Sequence, residues 1–248
     1  MALGSVSFGV TAHEDEGMER IPDLNRENTL GPSRYSVSGD RQGQVTVKDA
    51  ATVEVIRTFQ MDSGVVVRET FLLDGGKTVA ASQKDRAVFW DLTTGEEIRR
   101  FPQRIYGFAH DESKFFTYET PGSKVCLYSY PDLTFVCQLS QHTGGPEFFR
   151  FSPDDRFLVI RFMTGFPSTD KNYPRRNHVT RGFVYTKLFK IQECQEISEF
   201  SRLNIMAIGE FSADSRYYEI PEKFITIISP LKKARWRFDL TTYQIQEF

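Results

Sequence analysis

Four segments of this 248-residue chain superimpose without a gap: KDAATVEVIRTF from Lys48, WDLTTGEEIRRF from Trp90, YSYPDLTFVCQL from Tyr128 and FKIQECQEISEF from Phe189. A fifth, FDLTTYQIQEF from Phe238, needs one deletion. One column of this alignment holds Ile56, Ile98, Val136, Ile197 and Ile245. The segments close on Phe59, Phe101, Leu139, Phe200 and Phe248, spaced by 42, 38, 61 and 48 residues. Each joins two alternating runs through a turn. A period near 40 residues made of short strands points to one supersecondary unit repeated about five times.

A second landmark precedes the first in four repeats: FLLDG from Phe71, FAHDE from Phe108, FSPDD from Phe151 and FSADS from Phe211. Pro presets φ in such a turn, Asp accepts from nearby backbone N–H groups, and Gly tolerates positive φ. The repeat therefore reads as strand, acidic turn, strand, loop, strand, short turn, strand. A four-stranded sheet this short cannot bury both faces alone, so successive sheets are expected to stack face to face around an axis. The expected fold is all-β, a β-propeller of about five four-stranded blades over residues 31–248.

The first blade draws three strands from SRYSVSG, GQVTVKD and TVEVIRTF. Its fourth is a choice between SVSFGVT, where Val6, Phe8 and Val10 alternate, and nothing, with residues 1–30 a disordered leader. Five blades fit a five-bladed ring, a piece of a longer array, or an open ring completed by another chain. An open ring is expected to present an apolar blade face.

Trp90-Asp91 at the end of a third strand, and QHTGGPEFFRFSPDDRFL over 141–158, resemble the WD-repeat family. The resemblance covers residues 33–248 and is strongest over 65–101 and 141–162. It implies a propeller serving as an interaction scaffold. Only one repeat has Trp at its column and no Gly-His pair precedes it, His142 following Gln141 instead. The His, Ser or Thr, Asp and Trp network of such blades is therefore expected to be incomplete.

Composition narrows the function classes. The 22 Phe and 10 Tyr favour pleated sheets, and the hydrophobic share of 40% is that of a globular protein. With 31 Lys and Arg against 33 Asp and Glu, the net charge of −2 supplies no global field toward nucleic acid or an anionic membrane. No apolar window is long enough for a membrane span, and no basic leader with an apolar core opens the chain. Three cysteines are too few for a disulfide framework and suggest a reducing, cytoplasmic setting. Cys126 and Cys137 fall on adjacent strands; buried free thiols are the expected state. Cys194 has no partner near it in sequence.

The period is interrupted twice, at the same place. From turn Asp to Trp column, regular repeats take 16 residues (Asp74 to Trp90) or 17 (Asp111 to Tyr128), but Asp154 to Phe189 takes 35 and Asp214 to Phe238 takes 24. The extra residues lie between second and third strands. The WD-repeat resemblance implies that such loops emerge on one rim. They carry Lys171, Tyr173, Arg175, Arg176, His178 and Arg181 in the fourth repeat and Lys232 and Lys233 in the fifth. Arg pairs with carboxylate or phosphate, and Tyr buries area at little entropic cost. Loops of this length inside a domain commonly have a role, though a merely solvated hairpin is the competing reading.

Catalytic patterns fail on inspection. DGGKT at 74–78 lacks the earlier Gly of a phosphate loop, because Phe71 stands there; His13-Glu14-Asp15-Glu16 is followed by Gly17 and no second His. His110-Asp111-Glu112 belongs to the turn series, and no G-x-S-x-G occurs. No cofactor or metal is implied. The expectation is a non-enzymatic scaffold or adaptor for a protein partner within a larger complex. Alternatives are a nucleic-acid-associated propeller using the basic loop and the regulatory propeller of an enzyme complex, which would gather ionisable residues at the inner-strand mouths.

Overall fold

A computed structural model describes residues 34–119, 123–141, 144–164, 183–203, 205, 208–220 and 236–247. Its strands form five antiparallel sheets, each ordered as in the chain. Sheet 1 holds β1 (Tyr35–Gly39), β2 (Gln44–Asp49) and β3 (Val55–Gln60); sheet 2 holds β4 (Glu69–Leu73), β5 (Thr78–Ser82), β6 (Ala87–Asp91) and β7 (Glu97–Phe101). Sheet 3 holds β8 (Ile105–Phe108), β9 (Lys114–Glu119), β10 (Lys124–Ser129) and β11 (Phe135–Gln141). Sheet 4 holds β12 (Gly145–Phe151), β13 (Phe157–Thr164), β14 (Phe183–Lys190) and the two-residue β15 (Gln195–Glu196), followed by α1 (Ser198–Ser201). Sheet 5 holds β16 (Glu210–Phe211), β17 (Tyr217–Ile220), β18 (Trp236–Asp239) and β19 (Ile245–Glu247). Every expected repeat is thus one antiparallel sheet. SVSFGVT lies outside the described residues, among which sheet 1 has three strands.

The chain divides into two compact units after Tyr106. In the first, Val45, Val47 and Phe59 of sheet 1 pack on Val79, Ala81, Val88 and Trp90 of sheet 2, with Phe59 stacked on Trp90 at 5.0 Å. The register puts Phe71, Ala80 and Phe89 on the other face of sheet 2, and they are buried too. Sheet 1 differs: its other face carries Ser36, Ser38, Gln44, Thr46, Lys48 and Thr58, none of them buried.

In the second unit, sheets 3 and 4 also bury both faces. Phe116 and Leu127 lie on one side of sheet 3, Phe115 and Cys126 on the other. Phe116 meets Phe149 of sheet 4 edge-on at 4.8 Å. Leu158, Ile160 and Phe162 share a face with Phe149, while Phe157, Val159 and Leu188 pack on Tyr218, Ile220 and Phe238 of sheet 5. From α1 the fully buried Phe200 meets Tyr218 and Phe238 at 5.4 and 5.2 Å. The remaining face of sheet 5 is polar again, with Glu210, Tyr217, Glu219, Arg237, Asp239 and Gln246 in register. The apolar face expected of an open array is therefore not found on sheet 1 or sheet 5. Strands covered on both sides read as continuous apolar runs (AVFW, VCLY, FLVI), whereas QVTVKD and YYEI alternate.

The last two strands of every sheet are joined through a left-handed residue at the same position: Val53, Gly95, Leu133, Cys194 and Tyr243. In four of them that residue's N–H bonds back to the residue opening the turn, at 2.9 to 3.0 Å. Only the second uses glycine, although L-residues, β-branched ones above all, resist this region. Immediately beyond, Ile56, Ile98 and Val136 have no register partner: Trp90 faces Glu97 and Phe89 faces Arg99, with Ile98 skipped. These three residues are exposed bulge positions. Sheet 5 has no bulge, and Ile245 faces Phe238 as Glu97 faces Trp90. The deletion in the fifth repeat is the bulge residue, so Ile245 does not belong in the column of Ile98.

The cysteine expectation is corrected. Cys137 and Cys194 form a disulfide, with Cα atoms 6.2 Å apart and a sequence separation of 57, and the cysteine count no longer argues for a reducing compartment. Cys126 cannot meet Cys137, because Cys137 stands opposite Leu127 and so faces the other side of the sheet. Cys126 stays a buried free thiol. In the chain-entropy picture a cross-link of this span contributes about 4 kcal/mol.

Replacing the exposed Val53 with Gly should stabilise the protein by about 1 kcal/mol, since relief at the left-handed corner exceeds the added freedom of the unfolded chain. Gly95→Val should cost about 2 kcal/mol or more, because a Cβ there would lie 2.2 Å from Arg57 Nη1. Urea denaturation reads both, and a lowered midpoint for V53G would contradict the corner assignment. Deleting Ile98 should leave the register and the cooperative transition intact. Deleting Val88 instead turns the residues on one side of it to the wrong face and should abolish that transition.

Candidate functional site

Because each sheet runs antiparallel in chain order, its first-to-second and third-to-fourth turns share one end. The second-to-third loop lies at the other. The turn end is cross-tied between neighbouring sheets through left-handed residues. In the second unit Glu112, Asp155 and Ser215 occupy the same left-handed place in the acidic turns of sheets 3, 4 and 5. Asp155 reaches back to the turn of sheet 3, accepting from the backbone N–H of His110 and Asp111 at 2.9 Å each and from His110 Nδ1 at 2.7 Å. Ser215 Oγ accepts from the Asp154 N–H at 3.2 Å. Within each turn Ser152 bonds Asp154 and Ser212 bonds Asp214, fixing the loop.

A second set of ties uses the other turn. In the first unit Arg57 of β3 donates to the carbonyls of Thr93 and Thr94 at 2.9 and 3.4 Å. In the second, Lys190 lies 4.5 Å from the centre of the Tyr243 ring. These contacts hold sheet to sheet. Among the described residues no group of three or more His, Cys, Asp and Glu is arranged to hold a metal ion. His110-Asp111-Glu112 is part of a turn, as its spacing suggested.

The opposite end carries the two insertions. Thr164 pairs with Phe183 and Ile220 with Trp236, so both loops leave from the last pair of their strands. Lys171, Tyr173, Arg175, Arg176, His178 and Arg181 lie between the first pair, and Lys232 and Lys233 between the second, all outside the described residues. At the loop bases the structure adds a charged cluster that sequence reasoning missed. Arg161 Nε lies 3.2 Å from Glu147 Oε2, and Arg150 Nη1 lies 3.4 Å from Glu210 Oε1. Both guanidinium groups lie over the Phe148 ring, at 5.7 and 6.0 Å. Arg161 Nε is buried and is not aligned to donate to Glu147.

The start of β16, which carries Glu210, is held by the fully buried Tyr218, whose hydroxyl accepts from the Gly209 N–H at 2.5 Å; burial raises this phenol's pKa. A Cβ at Gly209 would collide with the Glu219 carbonyl at 1.7 Å, so the approach requires glycine. The signal for the cluster was an arginine inside the otherwise apolar FLVIRFM. The charged residues of this cluster form pairs of opposite sign. The chain matches no model of a known protein family and no curated protein. No helix among the described residues is long and apolar enough to cross a membrane.

The Asp155 hydrogen bond raises the His110 imidazole above its ordinary value near 6.5, outweighing the opposing effect of burial. Burial pushes the Asp155 carboxyl up, but bonds from His110 and Asp111 hold it below the usual 3.8. The imidazole therefore contributes stability that is complete below its ordinary pKa and is lost as pH rises through the raised value. The carboxyl contributes above its ordinary value and loses that contribution as pH falls through the lowered one. The gap in urea midpoint between wild type and His110→Ala should be widest near about pH 5.5 and narrow above about pH 8. Asp155→Ala, which strands two backbone N–H groups, should cost about 2 kcal/mol at neutral pH. A gap that widens with pH would refute the pairing.

Proposed function

We propose that the chain is a non-enzymatic interaction scaffold of propeller type, in which stacked sheets hold two second-to-third-strand insertions toward an acidic protein partner. One observation carries this reading: the two longest departures from the repeat spring from the same end of neighbouring sheets 4 and 5, beside the Arg150–Glu210 and Arg161–Glu147 pairs. The short turns at the other end are engaged in tying sheet to sheet. Loops on a rigid repeat are where such proteins place recognition. The resemblance of the repeats to WD blades supports the propeller form, and ring closure is part of the proposal. A trans-completing chain is not, since sheets 1 and 5 carry polar faces where it would need an apolar one.

The test is double charge reversal, Arg175→Glu with Arg176→Glu, in the full chain. Co-purification from the native source, with the partner identified by mass spectrometry and its affinity then measured with purified protein, should fall at least about tenfold. Unchanged affinity would remove the insertions from the interface. If the captured partner were instead a single-stranded nucleic acid, bound with a steep salt dependence, the protein-partner reading would fall.

A further inference from the structure

The Cys137–Cys194 bond starts from a repeat position that sheet 1 fills with a reversible tie. In β3, Arg57 follows the bulge residue and stands opposite Val47; in β11, Cys137 follows the bulge residue and stands opposite Leu127. The two are equivalent positions of the repeat. Arg57 reaches the third-to-fourth turn of sheet 2, at the carbonyls just before left-handed Gly95. Cys137 reaches the same turn of sheet 4, at its left-handed residue, Cys194. From a different position, the turn-opening end of β14, Lys190 approaches left-handed Tyr243 of sheet 5. Two sheet-to-sheet ties thus share one repeat position, and one of them is covalent.

The surroundings of the covalent tie make its state consequential. β15 pairs through Glu196 and Gln195, with one further bond from the Ile197 N–H to the Leu188 carbonyl, before the chain enters α1, so strand pairing at the outer edge of sheet 4 is short. On the other side, Cys137 directly follows Phe135 and Val136, which are 57% and 41% exposed on the edge strand of sheet 3. Both bonded cysteines are partly exposed. Cys126 is buried on the opposite face, with burial and Glu119 pushing its thiol up to about 12, so it takes no part in exchange.

We propose that Cys137 and Cys194 form a redox-operated clip that fastens the outer edge of sheet 4 to that of sheet 3 and governs the order of the rim around Phe135 and Val136. A dithiol thiolate attacks one sulfur and expels the other as a thiolate, which takes a proton. The dithiol's second thiol then displaces the remaining protein sulfur, which is protonated in turn. Two electrons and two protons pass to the protein, and the dithiol leaves as its cyclic disulfide. A small disulfide such as oxidised glutathione reverses the balance. The clip rests on contacts within sheets 3 and 4 and stands whether or not the insertions bind a partner.

The test compares the oxidised and dithiothreitol-reduced full-length protein. Native oxidised protein should take up no thiol label and, once denatured, one, at Cys126, with peptide mapping locating the cross-link between Cys137 and Cys194. After reduction without denaturant two labels should enter, and amide exchange over residues 135–141 and 191–197 should quicken at least about tenfold while residues 69–101 stay unchanged. Oxidised glutathione should restore slow exchange in wild type and in Cys126→Ser, but not in Cys194→Ser. Three labels on denaturing the glutathione-disulfide-equilibrated protein would overturn the proposal. So would reduction that requires unfolding, or equal exchange in both states.

Discussion

A β-sheet apolar on both faces needs a neighbour on each side, and in this chain that requirement is met selectively. Sheets 2, 3 and 4 bury both faces, while sheets 1 and 5 bury one and present hydroxyls, amides and charges on the other. Burial of aromatic and branched side chains is worth about 1.5 to 3 kcal/mol for each large residue, so rows such as Phe71–Ala80–Phe89 and Leu158–Phe189 dominate the energetics of stacking. Stacking weakens where the pattern changes to alternation.

Stacking alone leaves neighbouring sheets free to slide, and the directional contacts that pin them gather at the turns. Left-handed residues do this work because their side chains project sideways from the hairpin. Asp155, Ser215, Cys194 and Tyr243 each touch the preceding sheet from such a position. Gly95 serves by having no side chain, since the space of its absent Cβ is filled by Arg57. Backbone strain is thereby placed where it has a structural return.

The hairpins and acidic turns were legible because their determinants are local. Asp49, Asp91 and Asp239 open their turns and accept from N–H groups two or three residues on. The bulge was not visible in the alignment: the column over Ile56, Ile98 and Val136 is apolar, yet it is the position without a partner, and only register could tell. Arg161 and Glu147 escaped notice because they approach each other across strands. The Cys137–Cys194 bond escaped because its halves belong to different repeats.

By itself the sequence determined the repeat and the position of nearly every strand. Those follow from side-chain periodicity and turn chemistry acting over a few residues. The tertiary structure decided which repeat touches which through which atom: Asp155 with His110, Arg57 with Thr93, Cys137 with Cys194. Such pairings depend on strand register and on corner residues with positive φ, and both are fixed only when separate stretches of chain pack together.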